Sequence, residues 1–177
     1  MAPDCRTPRL LLRPLRTSDA PALAELANDW QVARMLARVP FPYTVDDALK
    51  HIVSQSGRAD ALEWGVFTDR LVGCVGVSDH LGYWYGRPYW GRGYATEAGE
   101  AAIGAFFASG DAPCLESGHF EDNAASRRVL DKLGFVPVGR SLQRSEARDA
   151  DVAHIDMRLE RAVWLERQAK AGSTEAS

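Results

Sequence analysis

Residues 81–98, LGYWYGRPYWGRGYATEA, combine a short aromatic strand, a glycine-containing loop and the start of a helix. The first turn of a helix has four unpaired backbone amides and carries about half a positive charge, so it can bind a diphosphate. Gly91 and Gly93 can adopt positive φ angles and admit a ligand close to the backbone, and Arg92 adds charge. The segment predicts a phosphate site, although an ordinary glycine turn also explains Gly91-x-Gly93 alone.

A second informative segment, NAASRRVLDKLGF at residues 123–135, follows the next predicted strand. Asn123 can cap a helix whose apolar stripe includes Val129, Leu130 and Leu133 and which ends at Gly134. Its position after the glycine loop and the intervening strand is that of the opposite wall of a ligand cleft. Asn123 therefore has two interpretations, as a helix cap and as a ligand-binding amide.

The remaining chain alternates short strands with amphipathic helices. A Thr44-x-x-Asp47 capping box predicts one helix start, Gly110 predicts a left-handed helix end, and residues 29–43 read as a loop. Residues 171–177 are small and polar, which predicts a disordered tail after a single domain at 1–170. Predicted strands cover residues 9–15, 64–68, 71–78, 81–85, 114–120, 135–138 and 152–159, and predicted helices cover 18–28, 44–55, 96–109 and 123–133.

Composition excludes several classes of protein. The 177 residues are 46% hydrophobic, enough for one globular core, and the net charge of −3 provides no basic surface for nucleic acid. Cys5, Cys74 and Cys114 lie far apart without metal-ligand spacing, which predicts reduced thiols and no metal. No stretch approaches the ~20 apolar residues of a membrane span, and no signal-peptide core is present. We expect a cytoplasmic protein.

Both segments resemble the GNAT superfamily of N-acetyltransferases, in particular its ribosomal-protein N-terminal acetyltransferase branch (RimJ/RimL-like). The resemblance extends from TPRLLLRPL at residues 7–15 to MRLER at residues 157–161 and Trp164. It implies an α/β (α+β) fold with a mixed central sheet of about six or seven strands and about four flanking helices. It also implies a cofactor cleft between splayed central strands, with acetyl-CoA as the cosubstrate.

The resemblance assigns candidate cofactor-binding residues. The family signature, Gln/Arg-x-x-Gly-x-Gly/Ala, falls on residues 90–95, where Trp90 departs from the pattern. Tyr83, Trp84 and Tyr85 lie on the strand that pairs with the pantetheine arm in the family, although core packing also explains these rings. The implied cofactor-binding set is Tyr83, Trp84, Tyr85, Trp90, Gly91, Arg92, Gly93, Tyr94, Ala95, Thr96, Asn123 and Ser126.

The implied catalytic residues are His80 and Ser126. Many family members protonate the departing thiolate with a tyrosine at the position of Leu130, so here Ser126, or a water molecule, replaces it. A proton acceptor for the amine is required, and His80 lies where branch members often have glutamate. Asp79, a bound water, or a solvated turn role for His80 are the alternatives. His51, His119 and His154 are interpreted as structural.

The expected reaction is direct attack by a primary amine on acetyl-CoA in a ternary complex, because no Cys–His or Ser–His–Asp grouping is evident. The amine could belong to a protein N-terminus, a polyamine, an aminoglycoside or an amino acid. Residues 29–43 and 144–151 are expected to flank its entrance. A catalytically weak CoA-binding sensor or interaction module is the alternative, and the assembly is expected to be a monomer or homodimer.

Overall fold

The computed structural model describes residues 2–55 and 62–175, which form eight strands and six α-helices. The strands are β1 (Cys5–Arg6), β2 (Leu11–Arg13), β3 (Leu62–Phe67), β4 (Leu71–Val77), β5 (Leu81–Tyr85), β6 (Cys114–Phe120), β7 (Val136–Ser145) and β8 (Ala150–Glu160). The helices are α1 (Ala20–Ala27), α2 (Trp30–Ala33), α3 (Val45–Gln55), α4 (Tyr94–Ser109), α5 (Ala124–Leu133) and α6 (Arg161–Glu175).

The strands form two sheets that meet at a single point. One sheet is antiparallel in the order β1-β2-β3-β4-β5, and the other is antiparallel in the order β6-β8-β7. A parallel bridge between His80 and Glu116 joins the two sheets, and Ser117 Oγ donates to the Leu81 carbonyl oxygen at 2.8 Å. Since β5 and β6 belong to different sheets beyond this contact, a cleft separates them, as the resemblance implied.

Helices cover both faces of the sheets. Helices α4, α5 and α6 pack on one face, where Ile103, Leu133 and Trp164 belong to the larger hydrophobic core. Helices α1 and α3 pack on the other face around a smaller core that includes Leu23 and Ile52. Each fully buried side chain of this kind stabilises the fold by about 1.5–3 kcal/mol. The cleft between β5 and β6 therefore lies between two well-packed layers.

Several predicted elements are confirmed. The capping box at α3 is formed, because the Thr44 backbone amide donates to Asp47 Oδ2 at 2.9 Å and the Asp47 amide donates to Thr44 Oγ1 at 3.2 Å. The β3–β4 hairpin and the third strand, β5, pair as expected. Helix α5 ends at Gly134 with a φ of 94°, the left-handed conformation that favours glycine.

Other predictions were wrong in detail. Gly110 has a φ of −173°, so α4 ends in extended backbone rather than in a left-handed cap. The predicted loop at 29–43 contains the short helix α2, since Asp29 accepts a hydrogen bond from the Gln31 amide at 2.9 Å. The fold class itself, α/β (α+β), is confirmed, with the strands divided between two sheets and with α2 and α6 in addition to the four expected helices.

The C-terminal third also differs from the predicted boundaries. Strand β7 extends to Ser145 because it pairs with β8 along its length, from Val136 opposite Arg158 to Ser145 opposite Ala150. Its side chains are almost all exposed, so no alternation of apolar residues marked it in the sequence. Helix α6 continues to Glu175, which includes residues 171–175 of the tail expected to be disordered. Residues 176–177 lie outside the described residues.

Candidate active site

The glycine loop has positive φ angles at both of its glycines, as the sequence led us to expect. Gly91 has a φ of 73°, and Gly93, the N-cap of α4, has a φ of 80°. Both values are strained for residues with a Cβ atom. Both glycines are exposed, and the 16-residue helix α4 begins at Tyr94. The amides of its first turn are therefore available to an anionic group.

Thr7 and Arg9, from the N-terminal segment, form hydrogen bonds with the glycine loop and with the first turn of α4. The Arg9 guanidinium donates from Nη1 to the Arg92 carbonyl oxygen at 3.0 Å and from Nε to Glu97 Oε2 at 2.6 Å. Thr7 Oγ1 donates to Glu97 Oε1 at 2.6 Å. Burial opposes ionisation of Glu97, but the hydrogen bonds from Thr7 and Arg9 lower its pKa overall. Glu97 is thus a structural first-turn carboxylate, and sequence reasoning missed its partners Thr7 and Arg9.

Trp90, the residue that departs from the signature implied by the resemblance, holds the loop through its indole ring. Its indole Nε1 donates to the Tyr85 carbonyl oxygen at 2.7 Å, while the residue remains 46% exposed. Arg92 is exposed, and its guanidinium carbon lies 5.8 Å from the centre of the Tyr89 ring. The loop is therefore anchored to the end of β5 through its first residue.

Tyr83 and Ser126 meet beside the cleft. Tyr83 Oη lies 2.9 Å from Ser126 Oγ and 3.2 Å from the Ser126 carbonyl oxygen. Burial raises the pKa of the Tyr83 phenol, so it remains neutral. Asn123 Oδ1 accepts a hydrogen bond from the Ser126 amide at 3.1 Å, so Asn123 is a helix cap. Leu130 is fully buried, in agreement with its apolar character.

A continuous cavity of about 1320 Å³ links the glycine loop to the junction of the two sheets. Arg92 is the single member of the predicted site set that does not line it. Its lining includes these predicted residues: His80, Tyr83, Trp84, Tyr85, Trp90, Gly91, Gly93, Tyr94, Ala95, Thr96, Asn123 and Ser126.

His80 lies at the sheet junction and lines the same cavity. Its side chain is 56% exposed, and its Nε2 is 4.0 Å from Glu116 Oε2. Glu116 also accepts a hydrogen bond from Arg158 at 3.0 Å. The neighbouring Asp79 accepts a hydrogen bond from Ser78 Oγ at 2.8 Å, which lowers the pKa of its carboxyl group. An imidazole with access to water is suited to exchanging protons with solvent.

Three other histidines, His51, His119 and His154, line the cavity, and all three were interpreted from the sequence as structural. His154 Nδ1 lies 2.9 Å from Asp156 Oδ1. His51 Nε2 lies within hydrogen-bonding distance, 2.6 Å, of Oε1 of Glu63 on β3. His119 is 6% exposed, its Nδ1 lies 2.8 Å from the Phe120 carbonyl oxygen, and its Nε2 has no hydrogen-bond partner in the described part of the chain. Only tertiary structure brings these residues to the cavity, so no local sequence signal identified them.

The far side of the cavity is bounded by residues 29–43 and by the β7–β8 turn, the two segments expected at the acceptor entrance. The Glu146 amide donates to the Ala37 carbonyl oxygen at 3.0 Å. Arg148 Nε donates to the Arg34 carbonyl oxygen at 2.6 Å, and its guanidinium also binds both oxygens of Asp122 at 3.0 and 3.1 Å. These contacts hold the two segments together over the cavity.

Within the described residues, no helix is both long and apolar enough to cross a bilayer. The same residues contain no group of three or more His, Cys, Asp or Glu side chains arranged to hold a metal ion.

Residues 9–136 match the acetyltransferase (GNAT) domain family, and this match covers more than half of the chain. The protein therefore belongs to the GNAT family and is an acetyl-CoA-dependent N-acetyltransferase. The matched residues include the glycine loop, the splayed strands and the helix that carries Asn123 and Ser126. The family predicted from the two sequence segments is thus confirmed.

Known proteins support this assignment. The chain is 27% identical over 161 residues to the uncharacterized N-acetyltransferase p20 of Bacillus licheniformis, covering 82% of this chain and 90% of that protein. Its fold is similar to that of the ribosomal-protein-S5-alanine acetyltransferase from Vibrio fischeri, with a TM-score of 0.76, 20% identity and coverage of 91% and 98%. It is also similar to RimJ of Mycobacterium smegmatis in complex with CoA-disulfide, with a TM-score of 0.78, 20% identity and coverage of 96% and 93%. The solved structures thus support the RimJ/RimL-like resemblance at the level of the fold.

Proposed function

We propose that this protein transfers the acetyl group of acetyl-CoA to a primary amine, either a protein N-terminus or a small-molecule amine, by direct attack in a ternary complex. The observation that carries the proposal is a cavity that runs without a break from the positive-φ glycine loop to the junction of β5 and β6. Such a cavity can hold a diphosphate at one end and a thioester at the other.

The cofactor is proposed to bind mainly through backbone groups. Its pyrophosphate faces the amides of residues 91–96 at the start of α4, where the helix dipole favours negative charge. Its pantetheine arm lies along β5, whose edge facing β6 is free beyond the sheet junction and can pair like an added strand. Asn123 supplies an amide to this arm, and its NH₂ group remains free for this role because its Oδ1 caps α5.

The reacting groups are proposed to lie between His80 and Ser126. An ammonium ion has no lone pair, so His80 accepts the proton of the amine directly or through water. Its exposure supports this role, because the proton can then pass to solvent. Ser126 donates a hydrogen bond to the sulfur as the thiolate departs. Asp79 and a bound water are the alternatives for the base.

The acceptor is proposed to enter the cavity beside residues 29–43 and the β7–β8 turn. These two segments are joined by the hydrogen bond from the Glu146 amide to the Ala37 carbonyl oxygen. The three cysteines are free thiols, in keeping with the cytoplasmic location that we propose.

A CoA-binding sensor is the second candidate function. The observation that favours it is Leu130, which is fully buried and provides no hydroxyl at the position where many family members have a catalytic tyrosine. A sensor would bind acetyl-CoA without turnover.

One experiment separates the two functions and ranks the acceptors. Coenzyme A release is measured against N-terminal peptides, polyamines, aminoglycosides and free amino acids, with acetyl-CoA affinity measured by calorimetry on the same preparation. Amine-dependent release above the rate of spontaneous hydrolysis is the expected result. Tight binding without release by any acceptor would support the sensor, and absence of acetyl-CoA binding would contradict both functions.

A further inference from the structure

Ser126 has a hydrogen-bonding partner on β5. Tyr83, on β5, reaches across to the first turn of α5, where its hydroxyl oxygen lies 2.9 Å from Ser126 Oγ. Both residues line the cavity at the cleft between the two sheets. A phenol and a serine hydroxyl therefore form a pair at the position where the sulfur of a bound thioester is proposed to lie.

The two hydroxyl groups can share their hydrogens in two ways. If Tyr83 donates to the Ser126 carbonyl oxygen, 3.2 Å away, the serine hydroxyl donates to Tyr83 and its only hydrogen is used. If Tyr83 donates to Ser126 Oγ instead, the serine hydrogen is free to point into the cavity. Only the second arrangement leaves a serine hydrogen that can donate to an anionic sulfur in the cavity.

We propose that Tyr83 is a positioning residue for acetyl transfer, whose hydroxyl donates to Ser126 Oγ and directs the serine hydrogen toward the departing sulfur. This inference rests on the proposed function. In the step, the C–N bond forms, the C–S bond breaks and its electron pair stays on sulfur. The amine proton goes to the base, and the thiolate takes a proton from water after release. Tyr83 and Ser126 keep their own protons.

Three features of the structure support this role. Burial raises the pKa of the Tyr83 phenol, which keeps it a neutral donor at physiological pH. Asn123 fixes the serine backbone through the bond from the Ser126 amide at 3.1 Å. Leu130, one helical turn further along α5, is fully buried and has no hydroxyl, so the pair supplies the donor that this position lacks.

The first test compares hydroxyl deletions. Tyr83→Phe keeps the ring and should lower kcat about fivefold, the effect of one lost hydrogen bond, while the Kd of acetyl-CoA changes less than about twofold. Because Tyr83 acts through Ser126, the double variant with Ser126→Ala should be no slower than Ser126→Ala alone. Ser126→Thr, which keeps a hydroxyl, should retain the sensitivity to Tyr83→Phe. Ser109→Ala, which removes a hydroxyl that donates to the Phe106 carbonyl oxygen at the opposite end of α4, serves as the control and should leave kcat unchanged.

An unchanged kcat for Tyr83→Phe in an active enzyme, or fully additive losses in the double variant, would overturn the inference and leave the proposed function intact. Absence of turnover by the wild-type protein would instead defeat the proposed function.

A binding measurement tests the hydroxyl pair without turnover. The affinities of coenzyme A and desulfo-coenzyme A are compared by calorimetry as the pH rises through ionisation of the thiol. The wild-type protein should prefer coenzyme A increasingly as the thiolate forms, because the serine hydrogen stabilises it. Tyr83→Phe should show a smaller preference at every pH. Equal preferences in the two proteins would contradict the proposed role of Tyr83.

Discussion

The two ends of the cavity are built from different parts of the chain. At the glycine loop, the proposed binding groups are backbone amides, and they come from the contiguous residues 91–96 with positive φ at Gly91 and Gly93. At the sheet junction, the proposed groups are side chains from the β4–β5 connection, from β5 and from α5, namely His80, Tyr83 and Ser126. The contrast shows that a backbone site can be encoded locally, whereas a side-chain site depends on how distant elements pack.

The first prediction concerns the end of the cavity at the glycine loop, where backbone amides are proposed to bind the pyrophosphate. Gly93→Val should weaken acetyl-CoA binding by about 100-fold, because two charge-assisted hydrogen bonds are worth about 3 kcal/mol and valine is strained at this φ of 80°. An added Cβ atom would also lie 3.3 Å from Arg9 Nη2. Calorimetry and thermal unfolding are measured together. Gly110→Val is the control, since Gly110 is extended and has no atom near the added Cβ position. Unchanged affinity in folded Gly93→Val would show that the phosphate site lies elsewhere.

The second prediction concerns the end of the cavity at the sheet junction, where side chains are proposed to act. Ser126→Ala should lower kcat about 30-fold, somewhat less than a full general acid contributes. The loss should persist across the pH range, with acetyl-CoA affinity retained. Steady-state kinetics from pH 6 to 9, together with calorimetry, provide the measurement. A loss of only about twofold would indicate that water serves in place of the serine.

The third prediction concerns the amine proton. His80→Ala should reduce turnover about tenfold at pH 6, where few amines are neutral, and higher pH should progressively restore the rate because free amine forms unaided. Ser126→Ala provides the contrast, since its loss should not be rescued by pH. Wild-type activity of His80→Ala at every pH would transfer the role to Asp79 or to a water molecule.

The fourth prediction distinguishes the two roles of Asn123, as the N-cap of α5 and as a proposed ligand of the pantetheine arm. Asn123→Ala should lower the free energy of unfolding by about 1 kcal/mol, because the amide of Ser126 loses its acceptor. It should also weaken acetyl-CoA binding if the side-chain amide contacts pantetheine. Asn123→Asp keeps an oxygen acceptor for the cap but lacks the NH₂ group. Normal affinity in both variants would leave Asn123 with the structural role alone.

The fifth and smallest effect concerns Glu97 and its hydrogen bonds from Thr7 and Arg9. The pKa of Glu97 is lowered in the folded state, so its carboxylate contributes stability above the unfolded pKa, and this is lost as the pH falls through the folded value. The unfolded pKa of glutamate is about 4.3. Glu97→Gln should therefore be less stable than the wild type at pH 7, with the difference shrinking below about pH 4. Urea unfolding at both pH values tests this, and a pH-independent difference would be the contrary result.

Much of the fold and the cofactor end could be predicted from local sequence. The glycines of residues 91–93, the Thr44–Asp47 capping box and the Gly134 helix end each depend on neighbouring backbone, and the structure contains all three. Gly110 shows the limit of such signals, because a glycine after a helix permits a left-handed cap without requiring one.

The remaining features depend on tertiary contacts. The exposed strand β7 forms because β8 pairs with it, and no apolar alternation marks it in the sequence. The brace of Arg9 on Glu97 and the approach of Tyr83 to Ser126 connect residues 88 and 43 positions apart. His119 was interpreted as structural, and its burial agrees, but no local signal predicts that it lines the cavity with an Nε2 that lacks a hydrogen-bond partner among the described residues.

The most direct measurement is a crystal structure of the protein with bound acetyl-CoA. Two results are expected together. The pyrophosphate oxygens should lie within hydrogen-bonding distance, about 2.7–3.2 Å, of backbone amides between residues 91 and 96. The thioester sulfur should lie beside the hydroxyl of Ser126, with the pantetheine arm along β5. A pyrophosphate bound away from the start of α4, or a thioester outside the cleft between β5 and β6, would contradict the account.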